Sequence, residues 1–177
     1  MRRACLTLSV LSLTLAGLVS AQAPRLPETL DGEWRSSVAP DRAVDIAMAA
    51  FRPRLENIPS FIRGRVESRI AERMHPVERI EITTTGDRVR VVNHTDRVET
   101  VETRLGESTR MRGRDGEMRR VTQRVRGGWL EQVFQGDDGS VSRLLSTEPD
   151  GQTLHVDVTV RNERLGDPVR WRVDFRR

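Results

Sequence analysis

Residues 154–176 read LHVDVTVRNERLGDPVRWRVDFR, two apolar-polar alternations separated by Gly166-Asp167-Pro168. Leu154, Val156, Val158 and Val160 alternate with His155, Asp157 and Thr159, and Val169, Trp171, Val173 and Phe175 alternate with Arg170, Arg172, Asp174 and Arg176. Successive strand side chains point to opposite faces, so each segment has one apolar and one charged side. That pattern belongs to an antiparallel sheet with one face buried. The same signal extends upstream. Ile80, Ile82 and Thr84, the turn Gly86-Asp87, and Val89 and Val91 form a hairpin. Further turn dipeptides stand at Gly106-Glu107, Asp115-Gly116, Gly127-Gly128, Asp138-Gly139 and Asp150-Gly151, dividing residues 77–177 into a meander of short strands.

Ahead of the meander the period changes. Leu30 to Ser36 reads as a first strand, followed by Pro40 and Asp41, with Asp41 as N-cap of a helix whose stripe is Val44, Ala47, Met48 and Phe51 and which ends or kinks at Pro53. A second helix starts after Pro59, with Ser60 as N-cap and Ile62, Val66, Ile70 and Met74 at every fourth position, and stops at His75-Pro76. Helices this short need a larger apolar surface to rest on, and the strands supply it. The expected fold is mainly β: an antiparallel up-and-down barrel of nine or ten strands, with a helix-turn-helix at about 41–75 inserted after the first strand. Closure removes the exposed edges such a long sheet would otherwise carry.

Arg2 and Arg3, the apolar run from Cys5 to Val19, and Ala21-Gln22-Ala23 have the form of a cleavable secretory signal over 1–23. The expectation is therefore a periplasmic or secreted single domain over 24–177, with no transmembrane helix after cleavage. Cys5 is the only cysteine, so the domain has no disulfide or thiolate chemistry. The formal charge is +4, falling to +2 without Arg2 and Arg3. All 30 basic residues are arginine, yet acids are interspersed among them, as at Glu99, Glu102, Arg104, Glu107 and Arg110. A nucleic-acid partner would call for a segregated basic surface, so none is expected.

Gly32-x-Trp34, followed by a helical pair and a long meander, resembles the calycins, and the order of elements is nearer to fatty-acid-binding proteins than to lipocalins. The resemblance implies that Trp34 plugs one end of the barrel with a late arginine, Arg172 or Arg176, across its face. It also implies a pair of arginines and a tyrosine holding a ligand carboxylate. Arg143 is the match for one arginine and Arg172-Val173-Asp174 for the Arg-x-Tyr stretch. The chain has no tyrosine, and strand parity turns Arg172 away from the apolar face, so surface positions for Arg143 and Arg172 remain open.

No nucleophile elbow, phosphate loop or metal signature is present; His75, His94 and His155 are scattered, and Asp137-Asp138-Gly139-Ser140 reads as a turn. Neither catalytic residues nor a metal or other cofactor is expected. The leading functional expectation is an exported carrier that binds a small apolar molecule or lipid inside the barrel. Its ligand residues would be Val89, Val91, Arg143, Leu154, Val156, Val158, Trp171, Arg172 and Val173, with Phe51, Ile62, Val66 and Ile70 on a helical lid. The same apolar residues could instead fill a solid core. The alternative is a cell-envelope interaction module whose outer face gathers Arg170, Arg172 and Arg176 beside Arg119, Arg124 and Arg126.

Overall fold

The computed structural model describes residues 25–56 and 58–177; the expected signal segment lies outside the described residues. A single turn of 3-10 helix, Glu28–Leu30, leads into β1 (Gly32–Ser36), then α1 (Pro40–Leu55) and α2 (Ser60–Arg73). Nine strands follow: β2 (Arg79–Thr85), β3 (Arg88–His94), β4 (Val98–Arg104), β5 (Ser108–Arg112), β6 (Met118–Arg126), β7 (Trp129–Gln135), β8 (Gly139–Thr147), β9 (Thr153–Asn162) and β10 (Val169–Arg176). The strands make one antiparallel sheet in the order β4-β3-β2-β1-β10-β9-β8-β7-β6-β5. β1 joins the two arms by pairing with both β2 and β10.

The sheet curls until β4 and β5 lie close to each other, with no ladder bonds between them among the described residues. Near this seam Gly106 N–H donates to the Gln123 carbonyl of β6 at 2.7 Å. The result is a nearly closed barrel of ten strands, the upper of the two expected counts. Alternation places Ile80, Ile82, Val89, Val91, Leu154, Val156, Val158 and Phe175 inside, all at most 8% exposed. The hairpin between β2 and β3 turns on Gly86 at φ +64°, followed by Asp87 at negative φ, a pattern that matches the right-handed twist of the strands.

The helices begin earlier than the side-chain signals indicate. Ala39 is the N-cap of α1 and Pro40 its first residue, because proline's fixed φ suits that position. Asp41 accepts from the Arg42 N–H and caps no N–H further along the helix among the described residues. Pro59 likewise precedes α2, and Ser60 is a helical residue and not a cap. Pro53 sits in the last turn of α1, which continues to Leu55; burial of Leu55 at 1% exposure anchors that turn. The buried face of α1 is Ala43, Ala47, Phe51 and Leu55, with Val44 and Met48 at its margin. Phe51 and Leu55 pack with Val169, and Val66, Ile70, Met74, Val160 and Trp171 close the cluster. Ile62 is outside it at 38% exposure, so only part of the expected α2 stripe is used.

Gly139 opens β8 at φ +155°, and a Cβ there would lie 2.1 Å from the Arg161 carbonyl oxygen. Gly139→Ala is expected to lower stability by about 1–3 kcal/mol, through strain and the displacement of β9. Gly136→Ala, with its nearest obstacle 3.8 Å away, is expected to change it much less. Urea-unfolding midpoints of the two variants test the difference.

Candidate functional site

Residues paired directly across neighbouring strands share a face. The register pairs Trp171 with Val158, Val158 with Arg143, Arg143 with Gln132, and Gln132 with Gln123. Since Val158 belongs to the core, the whole row from β10 to β6 faces inward. It runs about midway along the barrel, starting apolar and ending in one guanidinium and two amides.

Arg143 is deeply enclosed yet keeps part of its surface accessible. Its guanidinium lies 5.4 Å from the centre of the Phe134 ring and donates through Nη1 to Asn93 Oδ1 at a long 3.4 Å. Burial depresses its pKa, and the negative charge of Glu99 counters this only in part. A guanidinium does not give up its proton in proteins, so the charge persists with weak compensation. The opposite wall supplies Asn93, 3% exposed, whose cross-strand partner is Glu99.

Beside Arg143 runs an amide relay. Gln123 Nε2 donates to the Val89 carbonyl at 3.0 Å, and Gln132 Nε2 donates to Gln123 Oε1 at 3.3 Å. Both glutamines are fully buried, and among the described residues Gln132 Oε1 has no hydrogen-bond partner; Thr103 Oγ1 shares that condition.

The barrel ends differ. Far from the helices, Trp34 is fully buried, its Nε1–H donating to the Leu30 carbonyl at 3.0 Å. The guanidinium across its face belongs to Arg177, 4.7 Å from the ring centre, and not to Arg172 or Arg176. Arg177 lies in phase with inward-facing Phe175, whereas Arg176 and Arg172 lie in the opposite phase. Arg177 also donates to the carbonyls of Thr29 and Asp31, fixing the entering chain against the end of β10. Near the helices, Arg114 of the β5–β6 turn crosses the seam. It bonds Asp96 and Thr95 of the β3–β4 turn and, at 2.7 Å, Glu99 of β4.

The expected ligand residues separate into three groups. Val89, Val91, Leu154, Val156 and Val158 are packed core; Trp171, Val173 and Arg143 face inward and are half-buried. Arg172 faces outward, bound through both nitrogens to Asp157 at 2.7 and 2.8 Å, so its place on the ligand list is corrected. Asp174, which stands where the Arg-x-Tyr stretch would have its tyrosine, meets His155 Nδ1 at 2.7 Å. Gln123, Gln132 and Asn93 were missed, though Val121-x-Gln123-x-Val125 and Leu130-x-Gln132-x-Phe134 put amides at apolar positions of alternating strands.

The outer arginines do not assemble into one face. Arg124 and Arg126 both hold Glu131, Arg119 falls in the inward phase of Val121 and Gln123 and holds Asp115 beside the β5–β6 turn, and β10 and β6 are separated by three strands. Two clefts stand out among the described residues, and neither involves the inner row. One of about 420 Å³ on the outer face is lined by Arg35, Glu78, Arg79 and His94. Another of about 280 Å³ follows the β4–β5 seam past Thr103 and Thr109.

No protein-family model matches the chain, and no curated protein matches it in sequence. Solved structures do match in fold. A Schistosoma mansoni fatty acid binding protein in complex with arachidonic acid has a TM-score of 0.55 at 15% identity, covering 85% of this chain and 96% of that one. Human cRBP IV gives 0.51 at 16%, covering 85% and 99%. A secretary abundant heat soluble protein from Ramazzottius varieornatus gives 0.58 at 12%, covering 86% and 97%. The fold is thus a calycin-like barrel with two helices after its first strand.

The Arg114 contacts make the seam sensitive to acid. Hydrogen bonds from Arg114 and then Thr95 hold Asp96 below its ordinary 3.8. Burial would raise Glu99, but Arg114 and Arg97 outweigh it and hold that carboxyl below 4.5. Carboxylates lowered in the folded state stabilise it above the ordinary values, and the contribution disappears as pH falls through the lowered ones. Arg114→Ala is therefore expected to be less stable than the parent at pH 7, with the gap closing below about pH 4. Denaturant midpoints measured across pH check this.

Proposed function

We propose that the barrel binds a lipid with an acidic head group, the acid meeting Arg143 and the chain lying against the half-buried inner wall. The observation that carries this reading is the poorly compensated guanidinium within an apolar interior. Such a charge costs stability when unpaired, and a bound carboxylate offsets that cost through a charge-assisted hydrogen bond. Inward-facing Phe134, Val141, Val160 and Trp171 keep accessible surface on the helix side of Arg143, which supports an apolar path for the chain. Fold neighbours described as fatty-acid-binding proteins lend further support. In this reading α1 and α2 form a lid, with Phe51, Val66 and Ile70 resting on the rim, and residues 1–23 direct export to the periplasm or exterior.

Displacement of a fluorescent fatty acid by palmitate tests the proposal. Arg143→Gln is expected to weaken binding roughly 10- to 100-fold through loss of one charged hydrogen-bonding partner, whereas Arg172→Ala leaves it unchanged. The empty Arg143→Gln barrel is expected to be as stable as the parent or more so, because an unpaired buried charge has been removed. Equal affinity in parent and Arg143→Gln would exclude Arg143 as the anchor. Absence of any lipid, both in displacement and in native mass spectra of protein taken from its own compartment, would exclude the carrier.

A further inference from the structure

The amide relay constrains what must stand beside the acid. A carbonyl oxygen only accepts, so the Gln123 group facing the Val89 carbonyl is its NH2. The other end of Gln123 is then an acceptor, and the Gln132 group facing it is also an NH2. Neither amide can be turned over without setting two acceptors or two donors against each other. Gln132 Oε1 is consequently an acceptor by necessity, completely buried and without a donor among the described residues.

Its direct cross-strand neighbour is Arg143, which is turned toward Phe134 and Asn93. Directly opposed residues have Cβ atoms only about 4.5–5.5 Å apart. An unserved acceptor and an under-compensated cation are thus carried by directly opposed residues of one inward-facing row. A plain carboxylate answers the cation alone, because it carries no donor. An alcohol answers the acceptor and leaves the charge of the guanidinium uncompensated.

We propose that the preferred ligand is a hydroxylated acid, with the carboxylate on Arg143 and a hydroxyl at the second or third carbon donating to Gln132 Oε1. The proposal rests on the reading of the barrel as an acidic-lipid site and narrows its ligand class. Leaving a buried acceptor unpaired in the complex with the plain acid should separate the two acids by roughly tenfold or more.

The test uses the full domain and displacement of a fluorescent fatty acid by palmitic, 2-hydroxypalmitic, 3-hydroxypalmitic and 16-hydroxypalmitic acids. At least one of the 2- and 3-hydroxy acids is expected to bind roughly ten times more tightly than palmitic acid, and the 16-hydroxy acid to show no gain because its hydroxyl is remote from the head group. Gln132→Leu is expected to erase the preference while retaining palmitic acid. Leu and Met both remove the donor to Gln123, so Gln132→Met serves only as a second chance of a folded variant, and the comparison of acids on the unmutated protein needs neither. Equal binding of palmitic, 2-hydroxy and 3-hydroxy acids would overturn the proposal while leaving the acidic-lipid reading intact; so would a preference that survives in a folded Gln132 variant. If none of the acids binds, both fall.

Discussion

Parity governs this barrel. In a closed antiparallel sheet every residue faces in or out, and a register shift of one position on any strand would exchange its two faces. The ten strands share one consistent phase, so a charged or amide side chain in the inward phase near mid-barrel is turned away from bulk solvent. Arg143, Gln132, Gln123 and Asn93 are committed to the interior by the backbone before any contact they make is considered. Their environment then follows from the walls: a ring, a backbone carbonyl and one another.

The same rule explains the outer surface. Outward residues on adjacent strands meet in opposite charges, Arg172 with Asp157 and Arg124 with Glu131. The matching is partial: Arg35 faces Arg79 and Arg176, Arg88 faces Arg104, and Arg110 faces Arg120 across neighbouring strands. The exposed Arg172–Asp157 pair adds little stability by itself, whereas Glu131 is enclosed beneath Arg124 and Arg126; both pairings oppose slippage of the register.

How far the sequence was legible follows from the range of each interaction. Alternation in 154–176 and the turn dipeptides are local signals, and they yield the strands and the closed sheet. The helix starts were less legible because Pro40 and Pro59 fix the backbone more firmly than Asp41 and Ser60 can as caps. Arg177 over Trp34 joins the last residue to the first strand, and only phase relative to Phe175 would have selected it over Arg176. Parity had already argued against Arg172, whereas the inward direction of Arg143 needed the register of β8 against β9. The amide relay was the least legible part: it joins β3, β6 and β7 through side-chain bonds, although its glutamines did occupy apolar phases.

The far end of the barrel is full, with Leu30, Trp34, Leu130, Leu145 and Leu154 at most 1% exposed. Below the row that holds Arg143, therefore, there is no depth left to occupy. From Arg143 to the start of β8 at Gly139 the strand rises by at most about 13 Å. In the proposed reading that depth is a short ruler: a chain anchored at Arg143 would run toward the helices, and one longer than that depth would bend back on itself or emerge past α2.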